Sequence, residues 1–156
     1  MYEKILVPTD GSEVAEAAID HALDIASTYG AELHTMYVID TAAIDVSLGT
    51  EQVERLREGH FGEMPELQEE ATKAMGVVTQ QANEHDLDVS IVEQVTAGQP
   101  HRQIDRYTKD NDIDLVVMGS AGRTGVRRAL LGSVAERTLR TTKTPVLVVD
   151  IRTEDE

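Results

Sequence analysis

Five short apolar runs alternate with stretches of helical periodicity, and this alternation constrains the fold more than any other feature of the chain. The runs fall at 2–9, 32–39, 89–95, 113–118 and 145–149. Continuous apolar runs of this length read as strands covered on both faces. Between them, apolar residues recur every three or four positions, as one face of a helix requires. The first such stretch carries Val14, Ala17, Ala18, Ala22, Ile25 and Ala26, and Gly30 stops it. Pro65 opens a longer one with Leu67, Ala71, Ala74, Met75, Val78 and Ala82. Gly98-Gln99-Pro100 leads into a short helix with Ile104 and Tyr107, and a last helix is expected over 133–141. Residues 40–64 are polar and irregular, longer than most loops, with a short helix expected near Val53 and Leu56. The expected fold is α/β: an open five-stranded parallel sheet with helices on both faces, doubly wound, in one domain over 1–150 with an acidic tail at 151–156. Such sheets bind ligands at the carboxyl ends of their strands, where the strand order reverses. Three loops leave such ends with suggestive residues: Thr9-Asp10-Gly11-Ser12, Val38-Ile39-Asp40, and the segment from Gly119 onward.

Composition narrows the partners. Cysteine is absent, which removes disulfides, thiolate zinc sites and cysteine nucleophiles together. The opening MYEKILVPTD turns polar too soon for a signal peptide, and no apolar run approaches the ~18 residues of a membrane span. A soluble, cytoplasmic protein without membrane contact is expected. The net charge of −15 argues against general nucleic-acid binding, because phosphate backbones are repelled. Ten of the fourteen basic residues are Arg, and an acidic, lysine-poor chain resembles those of salt-loving organisms, where salt relieves self-repulsion. The charge is uneven: residues 115–149 carry +5, leaving −20 on the rest. A bound polyanion explains such a reversal, and so does a salt-bridged contact with the acidic part of the same fold.

The glycines in this basic segment are the candidate site. Gly119, Gly122, Gly132 and Ser133 give the pattern Gly-x2-Gly-x9-Gly-Ser, beginning where the fourth strand ends. Glycines let backbone N–H groups approach an anion with no Cβ in the way. Gly132-Ser133 sits at a helix start, where free N–H groups and the helix dipole favour negative charge. The same residues also fit plain turn formers followed by an ordinary Ser cap. Neither Gly-x4-Gly-Lys-Ser/Thr nor Gly-x-Gly-x-x-Gly occurs.

The run DLVVMGSAGRTGVRRALLGSVAERTLRTTKTPVLVV resembles the C-terminal half of universal stress proteins of the UspA type, and KILVPTDGSEVAEAAIDHALDIA resembles their first strand and helix. The likeness covers the whole chain, is weakest over 40–64, and points to the ATP-binding branch of the family. It implies a Rossmann-like fold with ATP as ligand. Gly119, Gly122, Gly132 and Ser133 would hold ribose and phosphates, with Val134 at the adjoining helix start. Pro8, Thr9 and Asp10 would lie beside the nucleotide, Asp10 on ribose hydroxyls or a magnesium ion. Val38 would meet the adenine, and Met118 would line the pocket, with Ser120 beside it. From the residues alone, Asp10 also reads as a helix cap with Glu13 three positions on, and Val38 as core. Arg123, with Arg127 and Arg128, would clamp terminal phosphates or answer acidic surface elsewhere. Ala121 is a departure, since many members carry His there, and it removes whatever proton transfer or phosphate contact that His supplies.

The five His residues show no metal-ligand spacing, and His21 reads as packed near an apolar helix face. No Gly-x-Ser-x-Gly elbow occurs, and the first loop lacks the His-x-Gly-His signature of related nucleotidyl transferases. Phosphate-binding groups are present without a convincing base, so a nucleotide-binding stress-response regulator or sensor is favoured over an ATPase or phosphotransferase, with slow hydrolysis at most. A nucleotide-free interaction module is the third reading. The resemblance also implies a homodimer through the last strand, 145–149; separately, an apolar strand late in the chain tends to lie at a sheet edge, which either invites pairing or is covered by the tail or a loop.

Overall fold

The computed structural model describes residues 1–41, 65–121 and 131–151. In chain order it contains β1 (Lys4–Thr9), α1 (Glu13–Tyr29), β2 (Glu32–Asp40), α2 (Pro65–Glu84), β3 (Ile91–Gly98), α3 (Pro100–Asp110), β4 (Leu115–Gly119), α4 (Ser133–Thr141) and β5 (Val146–Val149). All strand pairings are parallel, in the order β3-β2-β1-β4-β5. The chain builds outward from β1 through β2 to β3, then crosses back to lay β4 on the other side of β1. The doubly wound α/β sheet expected from the alternation is the one observed. The short helix expected near Val53 and Leu56, and most of the 40–64 loop, lie outside the described residues.

One apolar layer fills each face of the sheet. Ile5, Val7, Leu33, Leu115 and Val117 pack with Ala18, Ile19, Ala22, Leu23 and Ala26 of α1 and Val78 and Ala82 of α2. Leu6, Met36, Val116 and Met118 pack with Ile104 of α3 and Ala135 of α4 on the opposite face. The alternation within β1, Ile5 and Val7 one way and Leu6 the other, is the period-2 geometry of a strand covered on both sides. Replacing Leu6, fully buried, by Ala costs about 2–5 kcal/mol in such settings.

Three expectations need correction. β3 starts at Ile91 rather than at 89, runs on to Gly98, and exposes Glu93 and Gln94, as an edge strand with one solvated face does. β5 is the opposite edge, and Leu147 is 37% exposed there, so neither outer strand is covered on both faces. His21 is exposed rather than packed: the buried stripe of α1 passes through Ala18, Ile19, Ala22 and Leu23 and leaves position 21 outside. Among the described residues no helix is long and apolar enough to cross a membrane.

Candidate functional site

The strand order reverses between β1 and β4, so the loops leaving Thr9 and Gly119 flank the crevice where doubly wound sheets take ligands. The β1 exit is a nested polar turn. Thr9 Oγ1 accepts from Gly11 N at 3.1 Å, Asp10 Oδ1 from Ser12 N at 2.9 Å, and Ser12 Oγ from Ala15 N at 3.2 Å. Gly11 takes φ 82, a left-handed conformation that glycine adopts without penalty. Ser12 is therefore the cap of α1, and Asp10 shapes the turn before it rather than capping the helix. Pro8 lies half-buried on β1, in register with Met36.

The β4 exit is held differently. A Cβ on Gly119 would stand 2.6 Å from Val14 Cγ1 and 3.2 Å from the Val14 carbonyl carbon. The start of α1 thus packs directly on the end of β4, a reason for this glycine that lies within the fold. Ser120 follows, 5% exposed; its N–H donates to Val149 O at 2.8 Å and its carbonyl accepts from Gly132 N at 2.6 Å. That bond closes the loop between Ser120 and Gly132 at its neck. A Cβ on Gly132 would approach Ala121 Cα to 3.0 Å, so the neck is tight as well as bonded.

Gly132 is the N-cap of α4 and supplies no side-chain acceptor to the first turn. The leading N–H groups there keep their donor capacity, and the positive end of the helix dipole lies with them. Ser133 is exposed at the first helical position. Val134 is half-buried and packs on the same apolar cluster as Met118 and Val38. Of the predicted residues, Pro8, Thr9, Asp10, Val38, Met118, Gly119, Ser120, Gly132, Ser133 and Val134 all lie at the carboxyl ends of the strands or at the start of α4. Gly122, Arg123, Arg127 and Arg128 lie outside the described residues. Two shallow hollows bounded by described residues lie elsewhere, one beside Leu131 and Leu139, the other at the amino ends of the strands around Glu3, Glu32 and Asp88.

His101, at the start of α3, has its pKa lowered by burial first and then by Arg137 of α4 and Arg102. Arg140 pairs with Glu136 at 2.9 Å, an exposed i,i+4 pair contributing ~0.3–0.5 kcal/mol. Among the described residues no group of three or more His, Asp or Glu stands where it could hold a metal ion. Asp10 is one carboxylate, and magnesium takes one or two carboxylates together with substrate phosphates. That single carboxylate fits a metal that arrives with a nucleotide's phosphates.

Two polar arrangements escaped the sequence reading. Asp150, the residue after β5, accepts from Ser120 Oγ at 2.7 Å. The strand register, Gly119 opposite Val149, is the signal that places 120 beside 150. The second lies away from the crevice. His34, buried in β2, meets Glu32 Oε1 through Nε2 and the Tyr107 hydroxyl through Nδ1, both at 2.6 Å. The carboxylate only accepts, so Nε2 carries a hydrogen. Burial, then the Glu32 charge, raises the Tyr107 pKa.

The whole chain has relatives of known fold. Residues 1–150 match the universal stress protein family. Universal stress protein MJ0531 of Methanocaldococcus jannaschii is 39% identical over 150 residues, covering 96% of this chain and 82% of that protein. Universal stress protein MJ0577 of the same organism is 33% identical over 156 residues, covering 96% of this chain and 95% of that one. The solved MJ0577 structure matches with a TM-score of 0.77 at 32% identity, over 99% of both chains. A universal stress protein solved in complex with cAMP is 25% identical, with a TM-score of 0.62 over 96% of this chain and 97% of that one. A likeness that runs from the first strand to the last, in sequence as in backbone, settles the placement: this chain belongs to the universal stress protein family.

Proposed function

We propose that this protein binds ATP at the crevice between β1 and β4 and acts as a stress-response regulator or sensor through a second copy of itself or another partner. One observation carries the reading: α4 begins at the strand-order reversal with a glycine cap, a residue that brings no side-chain acceptor of its own. Phosphates fit those donors. The half-buried Val38 and Val134 and the buried Met118 share one apolar cluster suited to a base. The relative solved with cAMP supports an adenine nucleotide as the ligand class. Magnesium, where it takes part, is shared between the phosphates and Asp10. Turnover is slow at most, since Ala121 offers no proton carrier. The edge position of β5 and the exposure of Leu147 support pairing of two copies through 145–149. The cytoplasm, where ATP is abundant, is the compartment this reading requires.

The test starts with protein purified in high salt and denatured with acid, any released nucleotide being identified by chromatography. Stripped, refolded protein is then titrated calorimetrically with ATP, ADP, AMP and cAMP, and Gly132→Val alongside it. The expected results are ATP binding by the native chain and its loss in the variant. No released nucleotide together with no titratable ATP binding defeats the reading. Sedimentation at micromolar concentration checks the second copy, and a monomer with and without ATP removes it.

A further inference from the structure

We propose that Asp150 is a positioning residue for the nucleotide site, a latch that holds Ser120 and, through it, the cap of α4. The proposal rests on the ATP-binding reading and deepens it. All the polar groups of Ser120 are engaged, each with a different element: the N–H with Val149 O of β5, the carbonyl with Gly132 N, and the hydroxyl with Asp150 Oδ1. Ser120 is therefore the joint between the edge strand and the start of α4. Its hydroxyl is 2.7 Å from a carboxylate, and a hydrogen bond to an ionised acceptor is roughly twice as strong as one between neutral groups.

Asp150 is exposed as a residue, and an exposed carboxylate beyond the last strand would ordinarily be solvated. Here one oxygen serves two donors, Ser120 Oγ and Ile151 N at 2.9 Å. The second bond fixes the carboxylate against its own backbone, so the first can fix Ser120. Ser120 O then holds Gly132 N at 2.6 Å, and Gly132 sets where the free donors of α4 stand. A phosphate site made of backbone N–H groups depends on such placement, because a ligand gains little from donors it must first order. The direct phosphate contacts come from the N–H groups beyond Gly132, those of Ser133 and Val134, while Asp150 acts through Ser120.

The experiment combines Asp150→Ala, Asp150→Asn, Ser120→Ala and the Asp150→Ala/Ser120→Ala pair. Two readouts apply: calorimetric affinity for ATP, and amide hydrogen exchange at Gly132 by NMR without nucleotide. Asp150→Ala and Ser120→Ala should each weaken ATP binding about tenfold, the size of one lost charge-assisted hydrogen bond, and the pair should lose no more than either alone. Asp150→Asn keeps an acceptor oxygen without the charge and should bring affinity back to within about threefold of native. Gly132 exchange should quicken in Asp150→Ala while the amides of β1 and α1 keep native rates, an outcome that general destabilisation does not give. Unchanged affinity and unchanged Gly132 exchange in Asp150→Ala overturn the latch, as do additive losses in the pair or failure of Asp150→Asn to rescue. If the native chain binds no ATP, the ATP reading fails, and Gly132 exchange still decides whether the latch exists.

Discussion

α1 and α4 both start at the carboxyl end of the sheet, on either side of the strand-order reversal, yet their first turns are built on opposite principles. At α1, Thr9, Asp10 and Ser12 turn their oxygens back on the N–H groups of Gly11, Ser12 and Ala15. The helix start is supplied by its own chain. At α4 the cap is Gly132, which has no side chain to play the part of Ser12. The backbone there is spent on holding the neck of the loop, through Gly132 N to Ser120 O, and the donors beyond it are left for something else. The same local problem, four unpaired N–H groups at a helix start, thus meets side-chain oxygens at Ser12 N and Ala15 N of one helix and is left open at the other. The open one lies in the basic part of an acidic chain.

The largest effect expected from this contrast is to close the open start. Ser133→Asp puts a carboxylate at the first position of α4, beside the donors that phosphates would use. Negative charge at a helix N-terminus stabilises by ~0.3–1 kcal/mol, so the variant should unfold at the same or a slightly higher temperature. Juxtaposed like charges cost several kcal/mol, so ATP affinity should fall by about a hundredfold or more. Calorimetry and thermal unfolding on the same preparation check both halves. Undiminished affinity would mean that the start of α4 is no phosphate site, and the contrast would collapse into two ways of making a turn.

The second prediction opens the closed start. Ser12→Ala removes the oxygen that caps Ala15 N. The expected loss is about 1 kcal/mol of stability, or about 2–4 °C in Tm for a chain of this size. ATP affinity should stay within about twofold, because the α1 cap works for the fold. A large loss of affinity with little change in Tm would show that the two starts act as one site.

The sequence made the topology legible because the inner parallel strands must be apolar on both faces and helices must carry a stripe; Ile5-Leu6-Val7 and the α1 alanines leave little choice. It misplaced β3, where Glu93-Gln94 interrupts the apolar run and marks an edge. His21 misled because it sits one position from buried Ala22, and a turn of about 100° per residue carries it out of the stripe. The glycine positions were legible, but one cause of them was not: Gly119 is small because Val14 of α1 lies against it, a contact between segments about a hundred residues apart. Asp150 was illegible for the same kind of reason, since only the pairing of β4 with β5 brings it to Ser120. His34 hid inside an apolar run, and its partner Tyr107 comes from a helix 73 positions further on.

The smallest effect expected reads the field around the open start directly. His101 begins α3, the helix packed against α4, and its pKa is lowered by burial, then by Arg137 and Arg102. An NMR titration of its ring should show a midpoint below the ordinary 6.5. Arg137→Gln should raise that midpoint part of the way back, since burial and Arg102 remain. The sign for stability follows from the unfolded chain, where His101 titrates at its ordinary value and so binds a proton that the folded chain resists. The folded state therefore keeps this contribution above the unfolded value and loses it as pH falls through 6.5 and below. Arg137→Gln should flatten that acid-side loss slightly. A His101 midpoint at or above 6.5 in the native chain would mean that the positive charge counted in the sequence is neutralised in the fold, and the open start of α4 would lose its electrostatic half while keeping its uncapped donors.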